Sequence, residues 1–465
     1  MYNALKQALL LLSFPAMVLN AAAQGVTNRL RQAFSTFEAD SQMRNGIASL
    51  YVLDARTGNV VFEKNGSIGL APASTQKVIT SITAYELLGK DFSYQTRIGV
   101  NGGNKEAASV YIRASGDPTL GSWRWNATKE DAVIGRIRKA LQREGITGFS
   151  SLQVDNTGWD AESIPDGWIW QDIGNYYGAG AAGLNWRENQ FDLVLRSGNN
   201  IGDPVTVVGT KPRLYNYSFI SSATSAARGS GDNAYIYFPL QTSSAVLRGT
   251  IPVNESRFVI SGAIPFPAGQ LLGTLEDSLS AAGLKKVSPA NTEYTTADWR
   301  QLKLVHTETS PPLDSIIYWF NRRSINLYGE ALVKTMAMQQ KGTATTDAGI
   351  SVLKEHWKSK GYLPTELAMV DGSGLSPLNR VTTRVQAALL LHAKRQAYYP
   401  GFFLSLPEFN GMKMKSGTIR GVKGFAGYHK AADGSEYVFS FLVNNYNGSA
   451  SSLVQKMYKV LDVLK

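Results

Sequence analysis

Leu30, Phe34 and Phe37 recur at the three-to-four-residue spacing of one helix face, and the pattern then changes period. From Ile47 to Phe62 the chain reads as a β-hairpin turning at Thr57-Gly58-Asn59. Val78, Ile79, Ile82, Tyr85 and Leu88 return to helical spacing, opened by Pro72 and stopped at Gly89. Leu313 to Asn321 and Leu327 to Met338 predict two successive helices. Met412 to Ile419 predicts an edge strand, and Phe425 to Tyr428 with Tyr437 to Val443 a strand pair around Asp433-Gly434. Leu453, Val454, Met457, Leu461 and Leu464 lie on one face of a closing helix, which predicts packing on a core rather than on a membrane surface.

The middle of the chain has a different texture. Between about 91 and 298, short β-like runs (Ala108 to Arg113, Phe191 to Leu195, Val205 to Val208, Tyr235 to Phe238, Phe258 to Ile260) are separated by Gly, Asn, Pro and Ser. This predicts an all-β insertion, and no internal repeat is visible.

Three short motifs carry chemistry: Ser74-Thr75-Gln76-Lys77, Ser324-Ile325-Asn326 and Lys415-Ser416-Gly417-Thr418. Their order is that of S-x-x-K, S-x-N and K-[ST]-G, the set with which penicillin-binding proteins and serine β-lactamases open an amide through a serine ester. Any one of them alone is weak, so the weight lies in order and spacing. Ser74 and Ser324 are 324 − 74 = 250 residues apart, room for one or two extra domains. Ser74 falls in the first turn of the helix opened by Pro72, and Lys77, three residues on, shares its face. Lysine acts as a base only while neutral, and burial together with the charge of Lys415 would push Lys77 that way. Ser324 and Asn326 fall on the connection between two predicted helices. Lys415, Ser416, Gly417 and Thr418 would present a cation and hydroxyls on a strand against which an extended peptide can lie, with Arg420 either a further candidate anion contact or simply a solvated arginine.

The chain resembles the class C low-molecular-mass penicillin-binding proteins, the D-alanyl-D-alanine carboxypeptidase/endopeptidase family, of the type-4 kind. Beyond the three motifs, the resemblance rests on Ala71-Pro72-Ala73 before Ser74 and on Ser115-Gly116-Asp117-Pro118-Thr119-Leu120. It also rests on Gly167-Trp168-Ile169-Trp170-Gln171-Asp172 with Tyr177-Gly178-Ala179, and on Asp371-Gly372-Ser373-Gly374-Leu375-Ser376. Ile325 stands where many relatives carry Asp and Ser416 where most carry Thr, changes that keep the functional atoms. The resemblance implies an α/β (α+β) transpeptidase-type fold, an antiparallel sheet flanked by helices with a β-rich insertion of one or two domains. The implied boundaries are 24–90 and 299–465 for the catalytic domain, 91–195 and 262–298 for an inserted domain, and 196–261 for a second domain nested in it. It implies that Ser324 relays a proton to the leaving amine, that Asn326 orients Lys77 and the substrate, and that the backbone N–H groups of Ser74 and Thr418 hold the oxyanion. Asp172 and Tyr177 resemble positions that bind the free amino end of a wall-peptide diaminoacid. The implied activity is a serine DD-peptidase of bacterial peptidoglycan that needs no cofactor or metal, acts on stem peptides and is inhibited by β-lactams.

Compartment and charge refine this picture. Lys6, the apolar run Ala8 to Leu19 and Ala21-Ala22-Ala23 predict a secretory signal peptide over 1–23 and an exported, periplasmic protein with no later membrane span. Without any cysteine there is neither a lipoprotein anchor nor a disulfide. The net charge of +11 lacks the basic–aromatic interleaving of a nucleic-acid binder, and the one tight basic run is Arg322-Arg323. G-x-S-x-G and H-E-x-x-H are both absent, which disfavours a histidine-dependent hydrolase and a metallopeptidase. A β-lactamase, or a silent penicillin-sensing or wall-binding module, remains the alternative, and a homodimer is compatible with the sequence without being required by it.

Overall fold

The computed structural model describes residues 25–465 apart from 102, 216, 239–242 and 288–293, so the leader expected over 1–23 lies outside the described residues. The chain divides into two units: residues up to Ile82 with Trp357–Met369 and Pro377–Lys465, and Thr83–His356 with Val370–Ser376. Ser74, Lys77 and Lys415 belong to the first, Ser324 and Asn326 to the second.

The first unit is built on a six-stranded sheet whose inner strands come from both ends of the chain. Ile47–Asp54 pairs antiparallel with Val60–Lys64 on one side and with Glu436–Asn444 on the other. Val422–Lys430 and Met412–Ile419 continue the antiparallel order. The first hairpin turns where the sequence predicts, because the Asp54 carboxylate accepts the backbone N–H groups of Arg56 and Thr57 and closes the turn. One face of the sheet is covered by the opening helix over 25–38 and the closing helix Ala450–Leu461. Phe34 stacks at 5.5 Å from Phe62 and 5.9 Å from Phe441, and Leu453, Met457 and Leu461 are fully buried. The closing helix is thus a core helix. The other face carries the helix Thr383–Lys394, tied to the sheet by Ser49–Thr383 and Ser440–Gln386 side-chain hydrogen bonds.

The second unit is not all-β, which corrects the expectation for the middle of the chain. Ala108–Arg113 and Gly148–Asp155 are parallel neighbours joined through the helix Glu130–Arg143. The helix Pro267–Ala281 packs with it on one core. Val133, Ile134, Ile137 and Leu141 in the one, and Leu271, Leu272, Leu275 and Leu279 in the other, form the buried stripes that demand helices. The predicted β-runs do form strands, including Gln190–Arg196, Asn233–Tyr237 and Phe258–Ala263. Two smaller sheets built from them share a core of Phe191, Leu193, Ile236, Leu247 and Ile260. No helix among the described residues is long and apolar enough to cross a membrane.

Candidate active site

The nucleophile segment begins as a tight turn. Ala73–Gln76 is a 3-10 turn that runs directly into the α-helix Lys77–Leu88. Ala73, fully buried and not a glycine, sits at φ +47°, a left-handed conformation that costs on the order of 1–3 kcal/mol and needs support from its surroundings. That support is visible on both sides of it. Asn444 clamps Ala71 through both backbone groups, at 2.9 and 3.0 Å, and Gln386 donates to the Thr75 carbonyl at 2.9 Å. Thr75, Gln76 and Lys77 are buried whereas Ser74 is half-exposed, so the turn offers solvent its serine. Lys77 Nζ donates to Ser74 Oγ at 3.0 Å.

The strand Met412–Ile419 passes against this turn. Its pairing on the outer side is limited to Glu408–Phe409 opposite Lys413 and Met412, which leaves the segment after Met414 an edge. Gly417 allows the approach: a Cβ there would stand 2.6 Å from the Pro72 carbonyl oxygen, 2.9 Å from Thr75 N and 3.0 Å from Ser74 N. The backbone of Ser74 therefore lies against residue 417, one position before Thr418.

Lys415 is buried, and its Nζ donates to the Ser416 carbonyl at 2.9 Å. Burial, then the neighbouring charges of Lys77 and Lys423, push its ammonium well below the ordinary lysine range. Lys423 is a site residue absent from the sequence reading. It pairs across the hairpin with Thr418, donates to Thr418 Oγ1 at 2.6 Å, and is itself pushed down by burial. Arg420 is exposed at the tip of the same hairpin.

The second unit organises the remaining candidates. Leu313–Arg323 ends at Ser324, which takes a left-handed C-cap conformation (φ +56°), and Asn326 opens the helix Asn326–Lys341. Asn326 is therefore the first residue of a helix rather than part of the loop. Arg322 and Arg323 lie over the rings of Tyr318 and Trp319 at 5.5 and 5.9 Å. Asn326 Nδ2 donates to the Tyr177 carbonyl at 2.7 Å, joining S-x-N to the Trp-rich run. Tyr177 is hydrogen-bonded to the Asp172 carboxylate, and its phenol is raised first by burial and then by the Asp172 charge. Gly178 makes the tight loop possible, since a Cβ there would meet the Asp172 carbonyl at 1.9 Å.

Asp371 fixes the other two runs. Its buried carboxylate accepts the Trp168 indole N–H at 2.9 Å and the backbone N–H groups of Gly374 and Ser376, each at 2.7 Å. Glu330, four residues along the Asn326 helix, accepts the N–H of Gly372 at 2.9 Å. Among the described residues no group of three or more His, Cys, Asp or Glu side chains is arranged to hold a metal ion.

Residues 30–408 match the family model of the D-Ala-D-Ala carboxypeptidase 3 (S13) family. The D-alanyl-D-alanine carboxypeptidase of Actinomadura sp. (strain R39) is 26% identical over 455 residues, covering 92% of this chain and 83% of that protein. Penicillin-binding protein 4 (dacB) from Haemophilus influenzae has the same fold, with a TM-score of 0.78 over 90% of this chain and 96% of that one at 18% identity. The same protein complexed with a β-lactam superposes with a TM-score of 0.71 over 90% and 95% of the two chains at 17% identity.

Trp168→Phe strips one donor from a buried carboxylate and trims a buried ring, so unfolding in urea should show a loss of at least about 1.5–3 kcal/mol. A loss below about 0.5 kcal/mol would mean that Asp371 does not depend on this bond.

Proposed function

The chain belongs to the D-Ala-D-Ala carboxypeptidase 3 (S13) family and is a serine-type D-Ala-D-Ala carboxypeptidase of the penicillin-binding class, and on that premise we propose that it works through an acyl-enzyme on Ser74. The observation that carries this is the 3.0 Å contact between the buried Lys77 Nζ and the half-exposed Ser74 Oγ. Ser74 Oγ attacks the carbonyl of the penultimate D-alanine as its proton passes to Lys77. The oxyanion is held by the backbone N–H groups of Ser74 and Thr418. The amide C–N bond then breaks, the leaving amine takes a proton relayed by Ser324, and Asn326 orients Lys77 and the substrate amide. Water cleaves the ester and restores Ser74.

The substrate carboxylate is bound by Lys415, Ser416, Gly417 and Thr418, with Arg420 as an outer contact. Lys423 holds the Thr418 hydroxyl. Asp172, positioned by Tyr177, pairs with the free ammonium of a diaminoacid, so that D-alanyl–diaminoacid cross-links are cut as well as D-Ala-D-Ala ends. β-Lactams are inhibitors that stay on Ser74. The protein works in the periplasm after loss of 1–23, with 91–195 plus 262–298, and 196–261, as domains inserted in the catalytic fold.

Mass spectrometry after benzylpenicillin should find one adduct, on the peptide that contains Ser74, and Ser74→Ala should abolish it. An adduct on another peptide, or one that persists in Ser74→Ala, would overturn the assignment.

Asp172→Ala should lower turnover of wall peptides bearing a free diaminoacid amine by roughly tenfold or more, the scale of one charge-assisted contact, while sparing penicillin acylation. Equal losses with both compounds would reveal structural damage, and no loss with either would remove Asp172 from recognition.

A further inference from the structure

The second unit carries a cavity of about 420 Å³ that the reaction above does not use. It opens at the strands Gln95–Val100 and Ala108–Arg113 and at the C-terminal half of the helix Asn326–Lys341. Arg97 and Arg113 line it together with Gln95, Gln339, Tyr94 and Trp159, and among the described residues that line it there is no Asp or Glu.

The two arginines are direct partners in the antiparallel register, a placement in which like charges weaken a sheet. Nearby acids do not relieve it. Asp155, beside Arg113 in the next strand, already accepts the Thr157 backbone N–H at 3.1 Å, the Thr157 hydroxyl and the Trp299 indole. Glu308, in the strand on the other side, is held by Arg136 at 2.7 Å and His306 at 2.7 Å. Arg113 lies over the Trp299 ring at 5.8 Å, and neither guanidinium has a carboxylate partner among the described residues. A pair of planar five-donor cations in an acid-free cavity matches an anion with two accepting oxygens.

We propose that this cavity is an accessory site for a carboxylate-bearing segment of the wall polymer, clasped by Arg97 and Arg113. The inference rests on the DD-peptidase reading, which makes a polymer with repeated carboxylates the substrate. Thr335 and Gln339 line the cavity nine and thirteen residues after Asn326 on one helix, roughly 14 to 20 Å along it. At about 3.3 Å per extended residue that separation takes roughly four to six residues, so the occupant is a part of the polymer several residues removed from whatever group lies at Asn326. A second anchor of this kind raises the effective concentration of scissile bonds without touching the chemistry.

The test is co-sedimentation of the full chain with purified insoluble peptidoglycan. Arg97→Gln/Arg113→Gln should bind it at least about fivefold more weakly, while benzylpenicillin acylation of Ser74 and turnover of a short D-Ala-D-Ala peptide stay within about twofold. Gln95→Glu, which adds an acid to the wall and removes no packing, should weaken binding in the same direction. Amidating the polymer's carboxylates should lower binding of the unaltered protein and leave the double variant unchanged. Stripping phosphate-bearing polymers should do neither. Peptidoglycan binding within about twofold of the unaltered protein in both variants, or sensitivity to phosphate removal in place of amidation, would overturn the proposal. Failure of the unaltered protein to acylate would count against the Ser74 reading and leave the binding result to decide this one.

Discussion

Two lysine side chains buried together in one α/β sandwich repel each other, and a low-dielectric interior makes that repulsion expensive. Lys77 and Lys415 are held in this way by a strand and a turn that could not approach if residue 417 had a side chain. The strained Ala73, its clamps Asn444 and Gln386, and the bare edge of Met412–Ile419 all serve the same contact. Burial, and then the neighbouring charges of Lys77 and Lys423, hold Lys415 below the ordinary lysine range, and the mechanism proposed above draws its proton acceptor from this same cluster. Lys423 adds to it, since its charge also presses on Lys415.

In the second unit the organising element is a carboxylate. Asp371, with Glu330, ties the D-G-S-G-L-S loop, the Trp168 run and the helix that begins at Asn326 into one hydrogen-bonded frame. Sequence runs that look like separate signatures are thus parts of a single support. Asp172 and Tyr177 hang from that frame through the Asn326–Tyr177 bond, which joins the Trp-rich run to the S-x-N motif.

Much of this was legible beforehand because local chemistry and local structure agreed. The order of the three motifs, the helix stop at Gly89, both terminal hairpins and the closing helix follow from spacing and turn residues alone. The helices Glu130–Arg143 and Pro267–Ala281 lie in a region dense with β-like runs that mask them, although Val133, Ile137 and Leu141 keep a helical period. Lys423 was recoverable in principle: a turn at Arg420-Gly421 sets Thr418 opposite Lys423 by register. Gln386 and Asn444 were not, because polar residues that brace a backbone from 311 and 373 positions away leave no local signal. The same holds for the Arg97–Arg113 pair, which needs the strand register to be seen.

The proposed mechanism takes the base for Ser74 from this buried lysine cluster, and the pH dependence of acylation tests that most directly. That mechanism requires a lysine of the site to lose its proton, and burial, followed by the charges of Lys77 and Lys423, holds Lys415 below the ordinary lysine range. The rate of benzylpenicillin acylation should therefore rise with pH through a midpoint well below the ordinary lysine value of about 10.4 and fall away on the acid side. A rate that climbs only near that ordinary value, or that stays flat through acid and alkaline pH in a protein shown to remain folded, would contradict it.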